Sequence, residues 1–180
     1  SELYFILIPK SADTSMRDLT MRLASDDTSI PIPIDAMGKF QLPLMELKSD
    51  DEFDLILNKP KGEFYIKPYV KSADLPDDIK RMGDLRMECQ VRWAIEKQDV
   101  SIVFSTYVKL LASGNPCTAR TVSVLFFAPN GVNSISLTTP KSTFSFEVNS
   151  KRVYTLPLWD AKISDNDLLK YEQRGAPTLK

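Results

Sequence analysis

Apolar residues recur at every second position over short stretches that end in proline, glycine or acidic turns, the period of a strand with one face buried. Leu19, Met21 and Leu23 alternate with Thr20 and Arg22. Ile30, Ile32 and Ile34 alternate with Pro31 and Pro33; Val122, Val124 and Phe126, then Phe144, Phe146 and Val148, repeat the pattern. Leu3 to Ile8 is a continuous apolar run closed by Pro9, which reads as a buried strand. The longest apolar runs, Leu3 to Pro9 and Val124 to Pro129, fall far short of the roughly 20 residues a membrane helix needs, so the chain is not expected to span a bilayer.

The alternating prolines place Ile30 to Ile34 at a sheet edge, because proline gives no hydrogen to a ladder. Asp35 to Gly38 reads as a turn, after which Lys39 to Pro43 begins the returning strand. Phe53 to Leu57 and Phe64 to Val70 read as a pair joined by Asn58 to Gly62. Further on, Pro129-Asn130-Gly131 suggests a hairpin returning through Ile135 and Leu137. Phe144 to Val148 leads through Asn149 to Lys151 into Val153 to Leu158, a second expected hairpin.

The segment Ile30 to Pro43, with its Asp35-x-x-Gly38-x-Phe40-x-Leu42-Pro43 core, resembles the second and third strands of transthyretin-like modules, the prealbumin-type or carboxypeptidase regulatory-like β-sandwiches. The resemblance spans roughly the first 70 residues. It implies a small sandwich used as a folding, adhesion or ligand-binding accessory, with no catalytic residue to carry across.

The middle of the chain differs in kind. Asp74-Leu-Pro-Asp-Asp78 is a helix-start signal, acidic where a helix N-terminus is positive. Met82, Leu85, Cys89 and Trp93 follow at helical spacing, although Leu85, Met87, Cys89, Val91 and Trp93 also alternate as a strand would. The start signal and the length favour helix. Asp99 is a candidate cap for a second helix with the face Val100, Val103, Phe104, Tyr107 and Leu111, ended by Gly114; its β-branched content argues the other way. The whole reads as α+β, mainly β: an antiparallel β-sandwich with a helical segment inserted around residues 77–113. The expected organisation is one compact domain over residues 1–180, with a β module (1–72), helical insertion (73–118), β hairpins (119–160) and polar tail (161–180).

The 180 residues contain no histidine. That excludes a Ser-His-Asp triad, a Cys-His pair and His-ligated zinc or copper. Ser-x-x-Lys, Cys-x-x-Cys, P-loop and dinucleotide patterns are missing as well, and no cofactor or metal is expected. With 23 basic residues against 24 acidic, the chain lacks the basic excess that phosphate neutralisation requires, so no nucleic-acid partner is expected. Cys89 and Cys117 are an even pair with no third thiol to serve a metal or a redox cycle. A bridge between them fits an oxidising compartment and would close a loop of about 29 residues, worth roughly 3.5 kcal/mol. Two separate buried thiols are the alternative. The chain opens at Ser1 without an initiator Met and carries no Asn-x-Ser/Thr sequon. Together these features point to a bacterial periplasmic or extracellular setting, after removal of an export signal or a trimmed start.

Several groups could form sites. Asp50, Asp51, Glu52 and Asp54 form an acidic cluster without EF-hand spacing or glycine, so a solvated turn is expected there rather than calcium. Asp35 is expected to cap its own turn. Asp77-Asp78 and Asp165 with Asp167 are carboxylates of the type used in glycoside hydrolysis. Lys80, Arg81, Arg86, Arg92 and Lys97, offset by Glu88 and Glu96, read as a solvated face. Tyr65 and Tyr69, four apart on a strand, share a face and with Trp93 or Trp159 could stack on a sugar; the same aromatics could fill a sheet interface. The leading expectation is an exported, non-catalytic module that recognises another exported protein or assembles with one. The alternatives are a glycan-binding or glycan-processing accessory built on those aromatics and, behind it, a carboxylate-based hydrolase.

Overall fold

The protein is described from a computed structural model, over residues 1–11, 13–45, 52–129 and 132–173. It is α+β and mainly β, with antiparallel sheets and two helices. The chain divides into two compact units, one formed by Leu3–Tyr69 and the other by Ser1–Glu2 with Val70–Lys180.

The Leu3–Tyr69 unit holds two three-stranded sheets. In one, β1 (Glu2–Pro9) lies between β4 (Lys39–Phe40) and β6 (Phe64–Lys71); in the other, β2 (Met21–Ala24) lies between β3 (Ser29–Ile32) and β5 (Asp54–Leu57). Leu7, Met21, Ile32 and Phe40 form its core, with Leu19, Leu23 and Ile34 packed against them. The alternation in β2 and β3 is therefore the buried-face signal it resembled. β3 is an edge strand, as its prolines require. The backbone bond from Ser25 N–H to Thr28 C=O, with the register Leu23 to Ile30 and Met21 to Ile32, fixes which residues bond inward. Pro31 sits between them, so the hydrogen it lacks would have pointed outward.

Two strand pairings differ from expectation. Lys39–Phe40 returns to β1, with Phe40 opposite Phe5, and not to the Ile30–Ile34 strand. β5 pairs with β2 and β6 with β1, so the segments on either side of Asn58 to Gly62 do not pair with each other. Asn58 instead ties β5 back to the start of β2: its Oδ1 accepts the Thr20 N–H at 2.9 Å and its Nδ2 donates to Asp18 C=O at 2.7 Å. Asp35 does cap its turn, accepting the N–H groups of Met37 and Lys39 at 2.8 Å each. Gly38 there has φ +85°, and a Cβ on it would lie 2.7 Å from Met16 Cε, so the tight turn needs glycine.

The second unit is built around β9 (Val132–Thr138) and β12 (Leu168–Gln173), in a sheet ordered β10 (Thr143–Glu147), β9, β12, β7 (Ile79–Arg81). A two-stranded sheet pairs β8 (Leu125–Phe127) with β11 (Val153–Thr155). Both expected hairpins are therefore re-partnered: β8 pairs with β11, whereas β9 and β10 form a hairpin with each other. The Asn130-Gly131 tip lies outside the described residues, as do Asp50, Asp51 and the Arg174 to Pro177 stretch. The segment expected to be a polar tail supplies β12, whose Leu169 and Tyr171 are buried in the main core with Ile135, Leu137, Met82 and Leu85. That strand is half polar because only one of its faces meets the core.

Residues 80–112 are helical over most of their length: α1 spans Met82–Glu96 and α2 spans Ile102–Leu111. α1 buries Met82, Leu85 and Cys89, the helical set, while Met87 is exposed, which settles the choice against strand. The acidic signal at Asp74 to Asp78 does not start it. Asp78 C=O accepts the Tyr171 N–H, the chain passes through β7, and the helix begins only at Met82. Asp167 and Asp165 C=O accept the first helical N–H groups, those of Met82 and Gly83. α2 is capped by Ser101, which accepts the Phe104 N–H at 3.2 Å, and not by Asp99.

Candidate functional site

The helix α2 carries one charged residue, Lys109, in the sequence Ile102-Val-Phe-Ser-Thr-Tyr-Val-Lys-Leu-Leu111. A helix so nearly apolar all round is normally enclosed. Here only one side is. Val108 and Ala112 pack with Ala119, against Trp93, Tyr107 and Val122. On the other side Ile102 is 86% exposed, Val103 81%, Leu110 76% and Leu111 61%. Ile102, Thr106 and Leu110 follow at intervals of four and form one row along that side. The expected inner face is met in part: Tyr107 packs inward and Phe104 meets Trp93, but Val103 and Leu111 point to solvent, and Val108 and Ala112 take the innermost positions.

The inner contacts hold this helix in a fixed setting. Cys89 in α1 is joined by a disulfide to Cys117, just beyond α2, with Cα atoms 5.8 Å apart. Trp93 meets Phe104 edge to face at 6.3 Å, and Phe104 stacks on Tyr107 at 6.5 Å. The Tyr107 hydroxyl donates to Thr121 C=O, and Gly114, at φ +79°, turns its N–H back onto Val108 C=O. A cleft of about 160 Å³ remains between α1, α2 and residues 122–125, lined by Trp93, Val100, Phe104, Val122 and Val124, with the Arg92–Glu96 ion pair at its edge. It is smaller than the usual few hundred Å³ of a small-molecule site.

Beneath α1 lies a group of buried polar residues. Lys80 is 1% exposed and its ammonium contacts the Glu88 carboxylate, which also accepts the Val70 N–H at 3.0 Å. Lys80 is thus not part of a solvated basic face. Burial holds its ammonium below the ordinary lysine range, and Glu88 opposes that shift. Asp84, also 1% exposed, accepts four hydrogen bonds, from Ser1 Oγ, Ser72 N–H, Ser72 Oγ and Arg81 N–H. Burial pushes its carboxyl up, but those bonds outweigh burial and hold it below the usual carboxylate range. Every acceptor position that Asp84 offers is occupied within the fold, the arrangement of a structural carboxylate rather than of a proton shuttle.

Of the other basic residues, Lys97 is exposed and the arginines pair locally: Arg92 with Glu96, Arg81 in a two-pronged contact with Asp74, whose carboxyl it pulls down to about 2, and Arg86 with Asp165 while donating to Leu158, Asp160 and Ile163 C=O. Asp77 pairs with Lys71, and Asp167 accepts the Ser164 N–H. Three of the four carboxylates considered for hydrolysis, Asp77, Asp165 and Asp167, therefore have structural partners, and the fourth, Asp78, is exposed. Among the described residues, no group of three His, Cys, Asp or Glu side chains is placed to hold a metal ion.

The candidate stacking aromatics have different surroundings. Tyr65 is 43% exposed with Lys10 Nζ 4.7 Å from its ring centre, while Tyr69, on the same strand, is buried. Trp93 is half-buried against Phe104, and Trp159 faces the Arg120 guanidinium at 4.9 Å. Cations thus lie over the rings of the two exposed members, Tyr65 and Trp159. The exposed side of α2 was not singled out from the sequence, although its signal was there: ten residues with a single charge leave no polar stripe to face water. No helix among the described residues is long and apolar enough to cross a membrane. Comparison with known proteins returns no match, whether to a protein-family model, a curated protein or a solved structure.

Proposed function

We propose that this chain is an exported, non-catalytic module that recognises another exported protein through the outer side of α2. The observation that carries the reading is the row Ile102, Thr106 and Leu110, flanked by Val103 and Leu111, standing in solvent on a helix whose inner side is fixed. Helices bind grooves on partners by laying such an apolar row into them. A held helix enters such a groove with little further loss of conformational freedom. The Cys89–Cys117 bridge supports a periplasmic or extracellular setting, where disulfides form and persist.

The test is site-specific photo-crosslinking in the exporting bacterium, with the reactive side chain at Ile102 or Leu110 and, as control, at the exposed Lys151. A discrete protein adduct from the α2 positions and none from the control is expected. Adduct formation at none of the positions would remove the reading.

A further inference from the structure

An edge strand carries a row of unpaired N–H and C=O groups, and proteins guard such rows with proline, inward-pointing charge or shortness. The edges of this fold show each device. β3 has Pro31, β6 has Pro68, β7 turns the buried Lys80 inward, and β4, β8 and β11 are two or three residues long. β5 has four residues and begins with Asp54. β10, five residues of sequence Thr-Phe-Ser-Phe-Glu, is the one edge of that length or longer among the described residues with neither proline nor a buried charge.

Its hydrogen-bonding parity follows from its ends. Thr139 N–H donates to Ser142 C=O, Val148 N–H donates to Asn133 C=O, and Phe144 and Phe146 lie opposite Leu137 and Ile135. The ladder therefore runs through Phe144, Phe146 and Val148, and the backbone groups of Thr143, Ser145 and Glu147 point away from the sheet. All three residues are exposed, and so is Phe144, at 47%. Phe144 stands beside the half-buried Phe146 at a hollow of about 570 Å³ that Leu137, Pro157 and Ile163 also line.

We propose that β10 pairs antiparallel with β10 of a second copy of this chain, about a two-fold axis at Ser145. That register uses every outward backbone group: Thr143 faces Glu147 of the second copy, Ser145 faces Ser145, and Glu147 faces Thr143. Phe144 then lies against Phe146 of the other copy, twice by symmetry, the cross-strand aromatic contact that stabilises sheets. Charge fits as well. Glu147 arrives beside the turn that carries Lys141, and neither residue has an ion pair among the described residues. The two sheets become one, and both copies lose their unguarded edge.

Sedimentation equilibrium tests this on the intact chain. A dimer with a dissociation constant below about 1 mM is expected. Ser145→Pro deletes an outward donor and no ladder bond, as Pro31 does on β3, and is expected to weaken dimerisation by about tenfold or more with an unchanged circular dichroism spectrum. Lys141→Glu and Glu147→Lys are each expected to weaken it about threefold, with the double reversal restoring it. A chain that stays monomeric to about 1 mM overturns the proposal. So does a dimer indifferent to Ser145→Pro, or one abolished by Ile102→Glu with Leu110→Glu, which would assign self-association to α2. The α2 pair leaves the β10 contact intact, so the two surfaces are separately testable.

Discussion

Lys80 Nζ lies 2.6 Å from Glu88 Oε2, with the lysine side chain 1% exposed and the glutamate 12%. The pair joins β7 to α1, and Glu88 extends it to the Val70 backbone. Each charge is tolerated there only because the other is present.

Removing one partner should therefore cost more than removing both. Lys80→Met is expected to lower unfolding free energy by about 3–5 kcal/mol, because it leaves the Glu88 carboxylate buried without its cation. Adding Glu88→Gln, which still accepts the Val70 N–H, should recover most of the loss. Urea denaturation of the two single variants and the double measures the coupling, and additive losses would refute it.

Asp84 sets part of the acid limit of stability. Its folded carboxyl is held below the ordinary range, so above the unfolded value of about 3.9 the folded state gains from its ionised form. That gain is fully present above about pH 5 and is lost as pH falls through the folded pKa. Asp84→Asn, which presents an amide where four donors converge, should be less stable than the parent at neutral pH by about 2 kcal/mol or more. The gap should narrow below about pH 4. A gap of constant size across that range would show that Asp84 contributes by shape alone.

The Cys89–Cys117 bridge should leave no free thiol in denaturing, non-reducing titration. Replacing both cysteines by serine is expected to cost about 3.5 kcal/mol, the amount loop closure of this length provides. Since the bridge ties α1 to the chain just after α2, the variant should lose hydrogen-exchange protection first in Ile102–Leu111.

The prolines of β3 make the complementary test to β10. In a Ser145→Pro background, Pro31→Thr with Pro33→Thr should restore outward donors while leaving the buried Ile32 in place. The variant is expected to remain folded and to show concentration-dependent mass in light scattering. A variant as monodisperse as its background would show that the prolines serve local geometry only.

Local periodicity was legible throughout the first unit: the β2 and β3 alternation, the edge placement of Ile30 to Ile32, and the Asp35–Gly38 turn all follow from residues within a few positions of one another. Pairing was not, because alternation says which face is buried and nothing about which strand lies alongside. Phe40 meets Phe5 across a long stretch of chain, and β8 meets β11 rather than its neighbour β9. In the helical segment the inner residues of α1 were readable from spacing, whereas α2, apolar on all sides, offered no stripe from which to choose. Lys80 was unreadable for a different reason. A lysine beside arginines looks solvated until Glu88, two helical turns away from the start of α1, is seen beneath it.

The position of β12 governs when this unit can come into being. Leu168–Gln173 pairs on one side with β9 and on the other with β7, whose residues are made much earlier. Until Leu168–Gln173 has been synthesised and delivered, Ile79–Arg81 has no strand to pair with and Ile135 and Leu137 lack one of the strands that flank them. A chain emerging N-terminus first would therefore wait, its interior open to proteases, for Leu168–Gln173 to arrive. The Cys89–Cys117 crosslink closes entirely within the waiting segment, so it can form early and shorten the search that the arriving strand must make.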